Sequence, residues 1–146
     1  MKKIYYDVKK CLGCRSCEIA CAIVHSENRD LLAAIKSGKL ALPGKKIYSV
    51  KGKNYPVSCR QCSEPKCVDA CMAAALTFDA VKGVVAHDKT RCVGCWMCVM
   101  ACPYGAVRPD LKGKVPVRCD MCPDEDEKPC VRACPTKAIV WREEKK

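Results

Sequence analysis

The sequence predicts an α+β fold made of short repeated units. All sixteen cysteines of the 146-residue chain fall into four clusters, which read CLGCRSCEIAC, CRQCSEPKCVDAC, CVGCWMCVMAC and CDMCPDEDEKPCVRAC. Three of these cysteine clusters end in similar sequences, ACMAAALTF, ACPYGAV and ACPTKAIV, in which small apolar residues follow soon after the last cysteine. Each cluster therefore predicts a loop entering a short helix, with a short β-strand beyond it.

The spacing of the cysteines indicates what they bind. Motifs one and three follow the run C-x2-C-x2-C-x3-C, whereas the third gap is longer in motif two and longest in motif four, where PDEDEKP fills it. Three thiolates two residues apart can hold three corners of one iron-sulfur cube, and the displaced fourth cysteine then ligates a different cube. The four motifs are Cys11, Cys14, Cys17, Cys21; Cys59, Cys62, Cys67, Cys71; Cys92, Cys95, Cys98, Cys102; and Cys119, Cys122, Cys130, Cys134.

Iron-sulfur clusters explain this inventory better than zinc or disulfides do. Sixteen thiolates are enough for four complete 4Fe-4S clusters, and iron in a sulfide cube prefers soft thiolate ligands. Zinc knuckles explain a single C-x2-C…C-x3-C quartet but not the repeated C-x2-C-x2-C-x3-C run. A disulfide framework implies export, and the opening MKKIYYDVKKCLGC has no apolar signal segment.

Composition and charge narrow the function classes. One Phe, two Trp and five Tyr are a poor stock for an aromatic core, so we expect metal-ligand bonds to replace packing energy and the iron-free chain not to fold. The net charge of +11 falls to roughly +3 once four clusters of about −2 each are counted. No nucleic-acid-binding motif and no apolar stretch long enough to span a membrane is present.

Short elements are predicted around the motifs. A 37-residue stretch without cysteine, 22–58, predicts a helix over Arg29–Ser37 with Asn28 as N-cap and Gly38 as stop, then a hairpin turning at Gly52. This stretch either covers one cluster or docks a partner subunit. Helices are predicted over Ser16–Ala20, Val68–Ala70, Trp96–Ala101 and Val131–Ala133, and strands over Lys3–Asp7, Leu76–Phe78, Val84–His87 and Ala138–Trp141.

A few other residues are candidates for a role at the clusters. His25 and His87 could ligate metal, but because sixteen cysteines already saturate four cubes we predict both to be strand-end or surface residues. Trp96 and Met97 lie inside motif three, where they would shield a cluster from water and also pack. The acidic run Asp124–Glu127 predicts a solvated loop that could oppose a basic partner.

With these motifs in this order, the chain resembles the four-cluster electron-transfer subunits of the DMSO-reductase beta-subunit type. The phrases CLGCRSCEIACA, YPVSCRQCSEPKCVDAC and CVGCWMCVMACPYGA carry the resemblance, which covers nearly the whole chain. Within that type, the chain resembles the short members that accompany carbon monoxide dehydrogenase, hydrogenases, formate dehydrogenases or tungsten aldehyde oxidoreductases. Two departures are Met72, where many relatives have proline, and the absence of a membrane-docking tail.

The resemblance implies a nested pairing of motifs, first with fourth and second with third. It implies two interleaved bacterial-ferredoxin-like modules: an outer one from residues 1–26 and 111–146, an inner one from 55–110, and a helix-hairpin insertion at 27–54. The implied ligand sets are Cys11, Cys14, Cys17, Cys134 for cluster 1; Cys119, Cys122, Cys130, Cys21 for cluster 2; Cys59, Cys62, Cys67, Cys102 for cluster 3; and Cys92, Cys95, Cys98, Cys71 for cluster 4.

The function that the resemblance implies is a relay of single electrons without catalysis. The expected partners are a catalytic redox subunit and a second electron carrier or a flavin- or NAD-linked subunit, within a cytoplasmic hetero-oligomer of an anaerobe. No nucleic acid and no membrane span are expected. Two alternatives stay open: a free, diffusible polyferredoxin, and a zinc-stabilised interaction module.

Overall fold

A computed structural model describes residues 2–143 as a mixture of short helices and short strands, in agreement with the predicted α+β class. The strands are β1 (Lys2–Tyr6), β2 (Lys45–Val50), β3 (Lys53–Ser58), β4 (Leu76–Asp79), β5 (Val84–His87), β6 (Arg108–Asp110), β7 (Val115–Val117) and β8 (Ile139–Glu143). The helices are α1 (Ser16–Val24), α2 (Leu31–Lys36), α3 (Lys66–Asp69), α4 (Met97–Ala101) and α5 (Pro129–Arg132).

The described chain is a duplication of one unit: a strand, a cysteine motif, a hairpin, a second cysteine motif and a closing strand. The first half runs from β1 to β4 and the second half from β5 to β8. In both halves the opening strand ends five residues before the first cysteine, at Tyr6 and at His87. The closing strand begins five residues after the last cysteine, at Leu76 and at Ile139.

The two halves exchange their opening and closing strands. Within residues 2–143 the strands form four separate two-stranded antiparallel sheets, and β1 pairs with β8 whereas β4 pairs with β5. The helices follow the same pattern, because α1 packs on α5 and α3 packs on α4. Motif one is therefore brought to motif four, and motif two to motif three. The two remaining sheets are the hairpins β2–β3 and β6–β7, one in each half.

Two separate hydrophobic clusters result, and each mixes cysteines with aliphatic side chains. The outer core is centred on Cys17, Ile47, Cys130 and Ile139, with Ile4, Tyr6, Cys11, Val131 and Cys134 against it. The inner core is centred on Leu76, Val85, Cys98 and Val107, with Cys67, Val68, Cys71, Phe78, Val99 and Cys102 against it.

The predicted elements lie close to the observed ones, with two errors. The predicted N-cap Asn28 is wrong, since Asp30 caps α2 by accepting a hydrogen bond of 2.7 Å from the Ala33 backbone N–H. The hairpin β6–β7 was not predicted because it contains two prolines, which normally argue against a strand. These prolines, Pro109 and Pro116, face each other across the ladder, where neither needs to donate a hydrogen bond.

Candidate iron-sulfur sites

The motif loops use left-handed backbone to turn successive cysteines towards one another. In motif one Gly13 has φ 74° and Arg15 φ 61°, and in motif three Gly94 has φ 69° and Trp96 φ 61°. Ten non-glycine residues of the described chain have positive φ, and seven of them lie within or three residues after a cysteine motif. Such conformations cost of order 1 kcal/mol or more each, so this concentration marks the loops as sites held by a ligand.

A first group of cysteines from the two ends of the chain lines one cleft. Ile47 and Ile139 form the buried apolar wall of this cleft. Cys14 is exposed at its mouth, and the neighbouring Leu12 side chain is 71% exposed. The cysteines that line the cleft are Cys11, Cys14, Cys17 and Cys134.

A second cleft lies where motif two meets motif three. His87 and Trp96 line it together with Leu76 of the inner core. Cys95 is exposed at its mouth, beside a Val93 side chain that is 72% exposed. The cysteines that line this cleft are Cys71, Cys92, Cys95 and Cys98.

A third group of cysteines is the most deeply buried. Burial raises the pKa of Cys119 to about 12, although Lys45 opposes the shift. Burial also raises the pKa of Cys122, and the negative charges of Asp120 and Cys21 add to this effect. Thiols this hard to ionise need a metal to compensate the thiolate charge. The group consists of Cys21, Cys119, Cys122 and Cys130, all but Cys122 buried.

A fourth group includes Cys67 and Cys102 of the inner core, and its cysteines also affect one another's pKa. Burial, followed by the charges of Cys59 and Cys102, raises the pKa of Cys62. Burial raises the pKa of Cys67 as well, and Arg118 opposes that shift. The group consists of Cys59, Cys62, Cys67 and Cys102.

The last cysteine of motifs one, two and three accepts a backbone hydrogen bond at its sulfur. Ala75 N–H donates to Cys71 Sγ at 3.3 Å and Ala106 N–H to Cys102 Sγ at 3.4 Å. In motif one the donor comes from the insertion, because Gly44 N–H donates to Cys21 Sγ at 3.3 Å. Such N–H donors stabilise thiolate and raise the reduction potential of a bound cluster.

A small residue at the position of these backbone donors explains why similar sequences follow the motifs. Ala75, Ala106 and Ala138 each stand four residues after the last cysteine of a motif, and all three are buried. A larger side chain would separate the following strand from the cysteine loop. The small apolar pair in the sequence is therefore part of the site.

Buried polar atoms without partners indicate that a group is bound against them. In the described part of the chain, His87 Nε2 and the Nε and Nη1 atoms of Arg118 are buried and make no hydrogen bond. His87 lines the cleft that contains Cys98, and Arg118 acts electrostatically on Cys67. Buried donors are rarely left unsatisfied, and inorganic sulfides in these places would accept from them.

His25 lies beside a cysteine sulfur, a contact that the sequence did not indicate. Its Nδ1 lies 2.8 Å from Cys21 O and 3.8 Å from Cys21 Sγ, and its Nε2 lies 3.0 Å from Asp120 Oδ2. His25 is exposed and forms the C-cap of α1, so the predicted surface position is correct. His25, Asp120 and Cys122 could also hold a cation, but they would compete for the Cys122 thiol.

The acidic run of motif four is folded onto the protein by cations. The buried Lys128 ammonium donates to Cys122 O at 3.0 Å and to Glu125 O at 2.6 Å. Arg29 of the insertion forms a 3.0 Å ion pair with Glu125. The run Asp124–Glu127 is thus an exposed loop closed by internal contacts, and its charge is partly neutralised within the chain.

Together these features define the class of the protein. All sixteen cysteines lie within residues 2–143, and in the described chain each is a free thiol. They form groups of four sulfur donors in short strand-and-helix units, and such a donor set fits an iron-sulfur cluster. The class is a ferredoxin-type iron-sulfur protein.

Comparison with known proteins agrees with this class and identifies the family. The family described as "4Fe-4S dicluster domain" matches residues 50–144, so the chain belongs to that family. It is 39% identical to "Electron transport protein HydN" of Escherichia coli, over 94% of this chain and 85% of the relative. It is 38% identical to an "Iron-sulfur protein" of Rhodospirillum rubrum, over 93% of this chain and 79% of the relative.

A solved structure supports the fold. A chain of the "Active site complex BamBC of Benzoyl Coenzyme A reductase" aligns with a TM-score of 0.53 at 21% identity, over 99% of this chain and 82% of that one. Identity at this level supports the fold alone. Among residues 2–143, no helix combines the length and the apolar character needed to cross a bilayer.

Proposed function

We propose that this chain is a non-catalytic electron-transfer subunit that holds four 4Fe-4S clusters in the nested arrangement. In this proposal each motif supplies three ligands to one cluster and its last cysteine to the cluster of the paired motif. The proposed ligand sets are Cys11, Cys14, Cys17, Cys134; Cys119, Cys122, Cys130, Cys21; Cys59, Cys62, Cys67, Cys102; and Cys92, Cys95, Cys98, Cys71.

The observation that carries the proposal is the convergence of cysteines that are far apart in sequence. Cys134 lines the same cleft as Cys11, Cys14 and Cys17, and Cys71 lines the same cleft as the first three cysteines of motif three. Strand exchange between the halves supports both pairings, since it packs α1 on α5 and α3 on α4. Bound clusters would supply one-electron transfer at low potential.

The exposure of the cysteines supports a relay with two ends. Cys14 and Cys95 are the two exposed cysteines among the sixteen. They belong to clusters 1 and 4, whereas cluster 2 draws on the buried Cys21, Cys119 and Cys130. Exposed apolar side chains, Leu12 and Val93, stand next to the exposed cysteines. These two surfaces suit contact with an electron donor and an electron acceptor.

The proposed partners are a catalytic redox subunit at one end and a second electron carrier at the other, within a cytoplasmic complex. The printed names of the relatives, "Electron transport protein HydN" and "Iron-sulfur protein", support a carrier function. The likeness in fold to a chain of the BamBC complex is compatible with a subunit role. Purification of the native complex tests this, since a diffusible polyferredoxin would not retain a partner.

Metal analysis tests the number and type of clusters. After anaerobic reconstitution we expect about 16 iron and 16 sulfide per chain, four of each per cluster. About 12 iron, or a strong oxidised 3Fe-4S EPR signal in fresh protein, would show that one site is incomplete. Zinc in place of iron would establish the interaction-module alternative.

Paired substitutions test the nested arrangement. Cys134→Ser and Cys11→Ser should remove the same EPR signal although 123 residues separate them, because both serve cluster 1. Cys21→Ser should instead resemble Cys119→Ser. Loss of one common cluster in Cys134→Ser and Cys119→Ser, with the Cys11 site intact, would contradict the arrangement.

A further inference from the structure

A lysine is buried inside the outer core. Lys45, the first residue of β2, is 2% exposed, while the next residue, Lys46, is half-buried. The Lys45 ammonium lies 3.4 Å from the Tyr6 hydroxyl and 5.6 Å from the centre of the Tyr6 ring. The Tyr6 hydroxyl in turn lies 2.7 Å from Ser58 Oγ. No carboxylate of the described residues forms a salt bridge with Lys45.

An ammonium buried without a carboxylate requires another source of negative charge, because its desolvation is expensive. The cysteines around Lys45 are that source. Lys45 acts electrostatically on Cys17, Cys21 and Cys119.

The position of Lys45 relates it to two of the proposed clusters at once. Cys17 belongs to the proposed cluster 1, and Cys21, Cys119 and Cys130 belong to the proposed cluster 2. The residue before Lys45, Gly44, donates its N–H to Cys21 Sγ at 3.3 Å. Two residues later, Ile47 packs with Cys17 and Cys130 in the outer core. Strand β2 therefore brings the cation near proposed ligands of both clusters.

We propose that the buried charge of Lys45 sets the reduction potentials of clusters 1 and 2, raising both by stabilising the extra negative charge that arrives with each electron. This inference rests on the ligand sets given under Proposed function. Reduction by a one-electron donor changes the charge of a four-thiolate cluster from about −2 to about −3, and a fixed buried cation favours the more negative state. Low dielectric inside the core strengthens the effect.

The second half also has a cation near its hairpin, Arg118, but this residue stands at the position of Ser58 rather than of Lys45. Ser58, which pairs with Lys45 across β2–β3, immediately precedes Cys59, and Arg118 immediately precedes Cys119. Tyr6 corresponds to His87, since each ends the opening strand of its half. Arg118 acts electrostatically on Cys67 of the proposed cluster 3, as well as on His87. Each half thus places one cation beside its hairpin: Lys45 begins the first strand of β2–β3, and Arg118 follows the second strand of β6–β7.

The test is a redox titration of the reconstituted full chain, followed by EPR, with signals assigned from the Cys11→Ser and Cys119→Ser variants. In Lys45→Met we expect the equilibrium constants for reduction of clusters 1 and 2 both to fall at least tenfold, which is about 59 mV for a one-electron couple. Clusters 3 and 4 should be unchanged. Lys45→Arg, which keeps the charge, should stay within about threefold of the wild type.

Lys46→Met is the matched control, because it removes the same charge from the neighbouring, half-exposed position of β2. Equal shifts in Lys45→Met and Lys46→Met, or no shift in a fully loaded Lys45→Met, would overturn the inference. If Lys45→Met and Lys45→Gln fail to retain clusters 1 and 2, the iron content of Lys45→Arg decides. Full iron content in Lys45→Arg supports the role of charge. Continued loss of iron in Lys45→Arg makes Lys45 a packing residue.

The iron content of the wild type distinguishes failure of this inference from failure of the proposed function on which it rests. A wild type with about 16 iron but no effect of Lys45→Met overturns the inference alone. A wild type that lacks cluster 1 or cluster 2 overturns the proposed ligand sets, and the inference with them.

Discussion

The first half of the chain, β1 to β4, and the second half, β5 to β8, have the same order of elements but differ in three places. The first half inserts helix α2 and a longer hairpin between its motifs, and the second half lengthens the gap inside motif four. The cation beside the hairpin is the buried Lys45 in the first half, and in the second half it is the half-buried Arg118, whose Nε and Nη1 atoms are buried. The elements that both halves share hold the cysteine ligands. The segments that differ between the halves surround these ligands and offset their negative charge.

Strand exchange makes the two halves depend on each other. Neither half contains a complete sheet at its ends, since β1 requires β8 and β4 requires β5. The buried Gln61 side chain adds a further link: its Nε2 donates to Cys119 O at 2.7 Å, and its Oε1 accepts from Val85 N–H at 2.8 Å. The halves should therefore fold and unfold together.

The largest expected effect comes from iron removal. Both cores include cysteine side chains among their buried residues, so loss of the metal removes part of each core and leaves hard-to-ionise thiols behind. We expect anaerobic chelation to abolish cooperative thermal unfolding followed by circular dichroism. A cooperative transition retained by the apoprotein, in one half or both, would break the proposed mutual dependence.

The link at Gln61 should have the next largest effect. The residue at the same place in the second half is Met121, which also has positive φ and is also buried. Gln61→Met leaves the Cys119 carbonyl and the Val85 N–H without a partner, and should lower the free energy of unfolding of the holoprotein by about 3 kcal/mol. Denaturant-induced loss of the cluster absorbance measures it. Met121→Leu, a volume-conserving control, should cost less than about 1.5 kcal/mol.

A glycine in each half sharpens the comparison further. A Cβ at Gly94 would lie 2.7 Å from the Lys114 backbone oxygen, whereas a Cβ at Gly13 would meet the Asn54 side chain, which can move. Both glycines have positive φ, so both alanine variants share the backbone strain. We expect Gly94→Ala to be more destabilising than Gly13→Ala by about 2 kcal/mol, measured by the same denaturant titration. Equal losses of unfolding free energy in Gly94→Ala and Gly13→Ala would show that the two hairpins pack equally loosely against their cysteine motifs.

Much of this arrangement could be predicted because the relevant signals are local. The cysteine spacings indicate iron-sulfur ligands directly, and the strands that flank the motifs follow from the short apolar segments, with Val84–His87 predicted at its observed bounds. The hairpin turn at Gly52 is also correct, since Lys51 and Gly52 both have positive φ. The division into an outer module, an inner module and an insertion stays a prediction.

What could not be predicted depends on distant contacts. Lys45 lies in a lysine-rich segment, and lysine is usually solvated, so its burial becomes evident only when β2 packs beside Cys17 and Cys130. Gln61 is one polar residue inside a motif, and its role follows from the meeting of Cys119 and Val85. The hairpin β6–β7 was not predicted because each of its strands contains a proline. The two prolines fit the ladder as a cross-strand pair, which becomes evident only once the strands are paired.

The smallest expected effect concerns the long gap of motif four, the feature that most distinguishes it from motif two. Arg29 is 61% exposed in its ion pair with Glu125, and exposed pairs contribute little because water and salt screen them. Arg29→Met should therefore change the free energy of unfolding by less than about 1 kcal/mol. Lys128→Met should cost about 2 kcal/mol, because the buried ammonium donates to two carbonyls inside the loop. The reverse order in a denaturant titration would mean that the insertion, rather than Lys128, holds this loop against the cluster.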